Sequence, residues 1–374
     1  MKKYVVSKTD NDVENCTKVS DKDGFYYGKN AILDNDIFFD RKCLMPPHGL
    51  IVGGAGSGKT LSAIQEIEQV LDKTDDSVII IGEKGYYLSD ESRVISISPY
   101  DSVSAYHINP LDMYITEYDE DVSAQISVIA DRAIILFEEI FCKTITNAEK
   151  CIVNGRVMEL FEPFVKKLKE NNVKFNYADN PTLSDIAELL LSKEETDISA
   201  NVREKLSFIK EYFSYKTVMP NDMAIMLTWK DVPHLNSAFY VGCVMFSWNR
   251  LVEKHEEREY LWIYLEEFDS ILREKKVNIL ALVHGLLKSS RRFGGIVTLI
   301  SQSVEQLRYS KERNDFLKQL GFIRCLACKN HNELNYIREV FGLNDDMLNC
   351  INNAHVGGGL FITPLLVVPV LNRI

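Results

Sequence analysis

Apolar residues along this 374-residue chain alternate between short unbroken runs and helical spacing. The runs are Leu50–Val52, Val78–Ile81, Val94–Ile97, Leu261–Leu265, Gly295–Ser301, Phe322–Cys328 and, near the end, Gly359–Val370. Unbroken runs of this length suit strands covered on both faces. Between them, Leu61, Ile64, Ile67 and Leu71 fall on one helical side, and Ser237–Lys254, Ile279–Ser290 and Asn332–Phe341 also read as helices. Strands alternating with helices predict an α/β fold, a mostly parallel sheet flanked by helices and joined by right-handed crossovers. The last strand pair is expected to close one edge as a hairpin.

Two stretches depart from this alternation. Residues 1–45 read as a polar leader followed by two short strands, GFYYGKN at Gly24–Asn30 and IFFDRKCL at Ile37–Leu44, with Pro46-Pro47 as a hinge. Their aromatic residues require burial. Residues 117–222 are helical throughout: Ile126, Ile129, Ala133 and Leu136 share one face, and Val153, Val157, Leu160, Phe164 and Leu168 another. Thr182 with Asp185 three residues on has the form of a capping box. The predicted organisation is a leader (1–45), the first part of an α/β core (46–116), an all-helical insertion (117–222) and the second part of the core (223–374).

Composition narrows the function classes. A chain 46% hydrophobic and 26% charged is ordinary for a globular protein. Its net charge of −11 opposes gripping nucleic acid with the whole surface, although a local basic strip can still touch DNA. The start lacks the apolar core of a signal peptide, and no run reaches the roughly 18 apolar residues of a spanning helix. With eight scattered cysteines, the expectation is a cytosolic protein. Cys325 and Cys328 form a lone C-x-x-C in an alternating strand pattern, which points them to opposite faces and argues against a metal.

The chemistry is concentrated at HGLIVGGAGSGKTL, His48–Leu61. Gly53, four residues, then Gly58-Lys59-Thr60, between a strand and a helix, is a complete phosphate-binding loop. Gly53, Gly54, Ala55, Gly56, Ser57, Gly58, Lys59, Thr60 and Leu61 are therefore the expected nucleotide-binding residues. Glycines let successive amide N–H groups converge on a polyphosphate at the positive end of a new helix. Lys59 is expected to reach the β/γ-phosphates and the Thr60 hydroxyl to ligate Mg²⁺, making ATP and Mg²⁺ the cofactors.

The second half of a hydrolytic site is read from LWIYLEE. Five apolar residues followed by Glu266-Glu267 have the form of a Walker B strand, with Glu266 in the metal role and Glu267 as general base. Acids at a strand end can also cap the next helix. The following strand ends in Ser301-Gln302, which would set an amide beside the γ-phosphate as a sensor. Arg291 and Arg292, at a basic helix end, are read as an arginine finger offered to a neighbouring subunit, or as cations at a helix C-terminus.

Taken in order, GGAGSGKT, LWIYLEEFDSIL, SSRRFGGIVTLISQSVEQL and AHVGGGLF resemble the VirB/TrbE/TraC-like ATPases of conjugative type IV secretion systems, within the FtsK/HerA-like P-loop motor superfamily. GFYYGKN, HINPLDMY at His107–Tyr114 and NPTLSDIAELL extend the resemblance to about 330 residues. It implies a P-loop ATPase that energises substrate transfer or machine assembly at the cytoplasmic face of the membrane. Its implied partners are the inner-membrane and coupling components of the secretion apparatus, and its implied active form is a hexameric ring. Two other activities fit: a slow-hydrolysing nucleotide-binding assembly subunit, or a DNA-pumping translocase, against which the net charge counts. Three departures stand out: Glu266 where the family has Asp, Gly82-Glu83 where it has Asp-Pro, and a short leader where it has a large amino-terminal domain.

Overall fold

A computed structural model describes residues 24–82, 93–113, 122–170, 179–193, 196–220, 223–232, 234–269, 277–305, 313–364 and 366–371. The leader up to residue 23, Glu83, Tyr114 of HINPLDMY, and both ends of the predicted insertion, 117–121 and 221–222, lie outside them. The chain forms two compact units: Met1–Ile80, Tyr86–Val94 and Arg258–Ile374 in the first, Ile81–Gly85 and Ile95–Glu257 in the second.

The first unit carries strands β1 (Phe25–Asn30), β2 (Asp36–Phe39), β3 (His48–Val52), β4 (Ser77–Ile81), β7 (Leu261–Leu265), β8 (Gly295–Ser301), β9 (Leu320–Leu326), β10 (Gly359–Ile362) and β11 (Val367–Leu371). Their order is β2-β1-β11-β10-β9-β3-β8-β7-β4. At the centre, β3 runs parallel to both β8 and β9, and β7 parallel to β8, so these strands share one C-terminal edge. Every residue of β3, β7, β8 and β9 is buried, as their unbroken apolar runs require. The helices are α1 (Lys59–Lys73), α7 (Val277–Ser290), α8 (Arg313–Leu317), α9 (His331–Phe341) and α10 (Asp345–Asn352).

Two sequence expectations change here. The β10–β11 hairpin forms, but it does not close an edge, because β1 pairs antiparallel with β11 and β2 lies outside β1. Tyr27 of β1 packs on Phe322 and Phe361, and Phe39 on Phe361, which explains why the aromatic stretch joins the sheet. The buried side of α1 is also rotated from the expected one. Ser62, Ala63, Glu66, Ile67 and Val70 face inward, while Leu61 is exposed.

Glu66 is tolerated inside because Arg41, fully buried after β2, meets it. Arg41 Nη1 donates to Glu66 Oε2 at 2.8 Å and to Thr298 Oγ1 at 2.7 Å, and its Nε and Nη2 donate to Pro47 O. The Tyr264 hydroxyl donates to Glu66 Oε2 at 2.8 Å and Tyr27 to Oε1, so both carboxylate oxygens are satisfied. The guanidinium also lies over Phe322, 4.7 Å from the ring centre. At Gly49 a Cβ would sit 2.8 Å from Arg41 Nη2, so glycine leaves room for this cation. Arg41→Met should strand a buried carboxylate and lower unfolding free energy by about 3 to 5 kcal/mol. Urea unfolding measures it, and a loss below about 1 kcal/mol would show that the pair contributes little beyond its packing.

The second unit holds the parallel strands β5 (Ile95–Ile97) and β6 (Ala224–Leu227) and helices α2 (Val122–Phe141), α3 (Asn147–Glu170), α4 (Leu183–Lys193), α5 (Asp197–Tyr212) and α6 (Asn236–Glu256). Ile126, Ile129, Ala133 and Leu136 of α2 are buried together with Val153, Val157 and Phe164 of α3; Leu160 is half-buried, and Phe161 takes the inward place. The capping box is reciprocal: Thr182 N donates to Asp185 Oδ2 at 2.7 Å, and Asp185 N to Thr182 Oγ1 at 3.3 Å. HINPLDMY and NPTLSDIAELL meet in this unit. Asn109 Nδ2 donates to Pro181 O at 3.0 Å and Met113 N to Asn180 Oδ1 at 3.1 Å. Arg132 and Asn249 close on the Asp112 carbonyl, and burial pushes the Asp112 carboxyl up to about 7. These motifs therefore build the interior of the second unit.

Candidate functional site

The phosphate loop leaves the C-terminal end of β3 between its two parallel neighbours. Gly53 N donates to Ser301 O at the end of β8 (3.4 Å), and Gly54 N to Ala327 O just past β9 (2.8 Å). Gly58 caps α1 with φ of 94°, a left-handed conformation that disfavours side chains. A Cβ at Gly53 would lie 2.7 Å from Ser57 Oγ and 2.8 Å from Leu326 Cβ, so that glycine is required by close approach. At Gly56, also left-handed, a Cβ would meet nothing within 4 Å, so the backbone conformation rather than crowding favours glycine there. Ser57 Oγ is buried and has no hydrogen-bond partner among the described residues. A glycine-rich turn that leads into a helix N-terminus and carries a buried, unpartnered hydroxyl fits a polyphosphate.

Lys59 arches back over the loop, its Nζ donating to Gly53 O and Gly54 O at 2.9 Å each. Burial lowers the pKa of this ammonium, while the Asp269 and Glu266 carboxylates pull it the other way. Thr60 Oγ1 donates to Glu266 Oε1 across 3.5 Å, linking the loop to the end of β7. These two oxygen donors are of the hard type that Mg²⁺ prefers. Ala55 is exposed at the loop tip, and Leu61 is exposed in the first turn of α1.

The turn after β7 separates the two glutamates. Glu266 is buried, whereas Glu267 is half-buried and adopts φ of 49°, a sparsely populated conformation for such a residue. Gln302 stands exposed at the end of β8 with its backbone fixed: its N–H donates to Asp269 Oδ1 at 3.0 Å. The next turn is held by Glu333 at the start of α9, which accepts from Val304 N at 2.8 Å and from the Ser303 hydroxyl. Asp269 and Glu333, which brace these turns, do not stand out in the sequence because buried acids are not visible in an apolar pattern. For Asp269 the signal was present, a third acid two residues after the pair in EEFD.

Lys59, Thr60, Glu266, Glu267 and Gln302 thus gather at one edge of the sheet. Arg291 and Arg292 do not. They lie exposed in a 3₁₀ turn, Arg291–Phe293, that precedes β8. Seven residues of β8, at roughly 3.3 Å each, separate that turn from Ser301 by about 20 Å. His48, at the start of β3, confirms their end of the sheet. Burial, then Arg41, then Arg291 lower its pKa to about 3. Neither arginine reaches its own chain's phosphate loop. The C-x-x-C reading also shifts, because β9 ends at Leu326 and Cys328 lies beyond it, buried and near Lys59.

No family model and no curated protein matches this chain. Among solved structures, it is similar to VirB4 of Thermoanaerobacter pseudethanolicus, with a TM-score of 0.75 and 17% identity over 95% of this chain and 97% of that one. It is also similar to the bacterial conjugative coupling protein TrwBΔN70, unbound, with a TM-score of 0.57 and 15% identity over 96% and 91%. A third similar structure is the plasmid coupling protein TrwB in complex with ADP and Mg²⁺, with a TM-score of 0.55 and 16% identity over 93% and 89%. The chain shares the α/β P-loop fold of these proteins, a large sheet flanked by helices.

Proposed function

We propose that this chain is an ATP-hydrolysing motor of a conjugative or type IV secretion apparatus, working at the cytoplasmic face of the membrane. One observation carries the hydrolytic reading: Lys59 and Thr60 of the phosphate loop and Glu266 of β7 converge, with Thr60 Oγ1 3.5 Å from Glu266 Oε1. Likeness in fold to VirB4 and TrwB supports the secretion context, and a TrwB complex with ADP and Mg²⁺ supports the choice of ligands. Among the described residues no helix is long and apolar enough to cross a membrane. In this reading, attachment to the membrane runs through the inner-membrane and coupling components of the apparatus.

Gly53 to Leu61 bind the phosphates through backbone N–H groups, and Lys59 places its ammonium on the β/γ end. Thr60 and Glu266 hold Mg²⁺, which when bound neutralises charge on the phosphate oxygens. Glu267 takes the proton of the attacking water at its carboxylate. Gln302 holds that water or the γ-phosphate through its amide, steadied by Asp269. Arg291 and Arg292 supply positive charge to the adjoining subunit's site in a homo-oligomeric, hexameric ring.

Steady-state hydrolysis measured with molecular mass, with and without double-stranded DNA at moderate salt, tests this function. The expected result is ATP turnover by a multi-subunit species, with no stimulation by DNA. A fully assembled protein that binds ATP without turnover would contradict the motor reading and identify a nucleotide-binding assembly subunit. The extra methylene of Glu266 favours that second reading. Stimulation by DNA would identify a translocase.

A further inference from the structure

The second unit carries a cavity of its own, with a volume of about 160 Å³. Its lining begins just past the C-terminal ends of the parallel strands β5 and β6, the position at which α/β sheets form their crevices. Tyr100 and Asp101 follow β5, and Trp229 and Lys230 follow β6. The last turn of α5 adds Glu211 and Tyr212, and the first turn of α6 adds Phe239. Ring packing sets these walls: Tyr100 stacks on Phe239 with centroids 4.7 Å apart, and Tyr212 meets the same ring edge-on at 5.3 Å. Trp229 is held edge-on by Tyr240 at 6.0 Å.

Four aromatic rings thus line the cavity, and among the described residues no lysine or arginine lies over any of them. An aromatic face attracts a cation through its quadrupole. Charge points the same way, because the lining has two carboxylates, Asp101 and Glu211, against one ammonium, Lys230. The Asp101 carboxylate accepts from Lys230 Nζ at 2.7 Å and from Val103 N at 3.2 Å, so the excess negative charge rests on Glu211, exposed at the end of α5. Burial, and then the Glu211 carboxylate at its hydroxyl, raise the pKa of Tyr212, which sets that charge beside the ring. The volume is close to the roughly 150 Å³ that admits a benzene ring, enough for one planar group and too little for a nucleotide. Trp229 is 7% exposed, and its indole N–H has no hydrogen-bond partner among the described residues. A buried donor in that state favours a ligand that brings an acceptor as well as a cation.

We propose that this cavity is a docking pocket for an arginine side chain of a partner polypeptide. The planar guanidinium lies against the aromatic walls with its charge at Glu211, and a main-chain carbonyl of the same segment accepts from the Trp229 indole N–H. An arginine within a polypeptide supplies both groups, whereas a free organic cation supplies one. This recognition is separate from nucleotide chemistry and gives the second unit a binding role of its own.

Titration of the full chain with the blocked tripeptide acetyl-Gly-Arg-Gly-amide, read from the NMR signal of the Trp229 indole N–H, tests the pocket. Trp229→Phe identifies that signal among those of the three tryptophans. The expected result is a saturable shift, with a norleucine tripeptide of similar length binding about tenfold more weakly because it lacks the cation. Glu211→Gln, at an exposed position, should weaken the arginine tripeptide about threefold with thermal unfolding unchanged. No saturable shift, equal binding of the norleucine tripeptide, or full affinity in Glu211→Gln would overturn the pocket. A lysine tripeptide that binds as tightly as the arginine one would overturn the guanidinium assignment, and ethylguanidinium binding as tightly would overturn the polypeptide source.

Discussion

Glu267→Gln is expected to keep ATP binding and lose about 10² to 10⁴ in turnover, the usual contribution of a general base. An amide can still orient the water, but it cannot accept its proton. Assignment of the base to Glu267 rather than Glu266 follows from their surroundings. Glu266 is buried and faces the Thr60 hydroxyl, which suits holding a cation. Glu267 is displaced into the turn by its left-handed φ of 49° and keeps partial access to solvent. Glu266→Gln should therefore act mainly on Mg²⁺ dependence, and Glu266→Asp should raise turnover if a shorter acid suits the metal better. Steady-state rates across Mg²⁺ concentrations distinguish these effects. Normal hydrolysis by Glu267→Gln would place the base elsewhere.

A larger effect is expected from the arginines. Their turn sits about 20 Å of strand away from the edge that carries the chain's own loop, so action within one subunit is excluded by distance. A finger supplied in trans is worth about 10³ to 10⁵ in rate, so replacing Arg291 or Arg292 by Ala should silence each site while leaving nucleotide binding intact. A Glu267→Gln subunit has the opposite defect, since it still presents its arginines. Equal mixtures of the two inactive variants should recover about 25% of wild-type activity for independently firing sites and a finger of that size. Subunit exchange must be shown first by a mass or fluorescence readout. Proven exchange with activity no greater than the sum of the parents, for both arginines, would reduce Arg291-Arg292 to cations at a helix end.

The sheet was legible from sequence because its central strands are buried on both faces and so read as unbroken apolar runs; β3, β7 and β8 all fell where expected. The strand β6 is not legible because three of its four residues, AIML, are good helix formers and only Ile225 is β-branched, so the run does not read as a strand. The rotated face of α1 was illegible for a different reason. Pattern reading places every acid in solvent, whereas Glu66 is buried by Arg41, 25 positions away in the chain. The loop, its lysine and the acidic strand end were legible because their spacing is fixed by local geometry. What distant chain does around them was not. Asp269 and Glu333 fix the turn after β8, and Gly357 braces the loop from the far end of the sequence.

The central claim, that the loop at Gly53–Thr60 binds a nucleoside triphosphate, is tested most directly by equilibrium binding of MgATP to wild type and Lys59→Ala. The Lys59 ammonium reaches across the loop to its carbonyl oxygens, and this position is where the β/γ-phosphates are expected. Its removal should cost at least about 100-fold in affinity, on the scale of a charge-assisted hydrogen bond deleted at a partly buried site. The account predicts tight binding by the wild type and none measurable by the variant, with the thermal unfolding of the free protein unchanged. Equal affinity in the two proteins would contradict it.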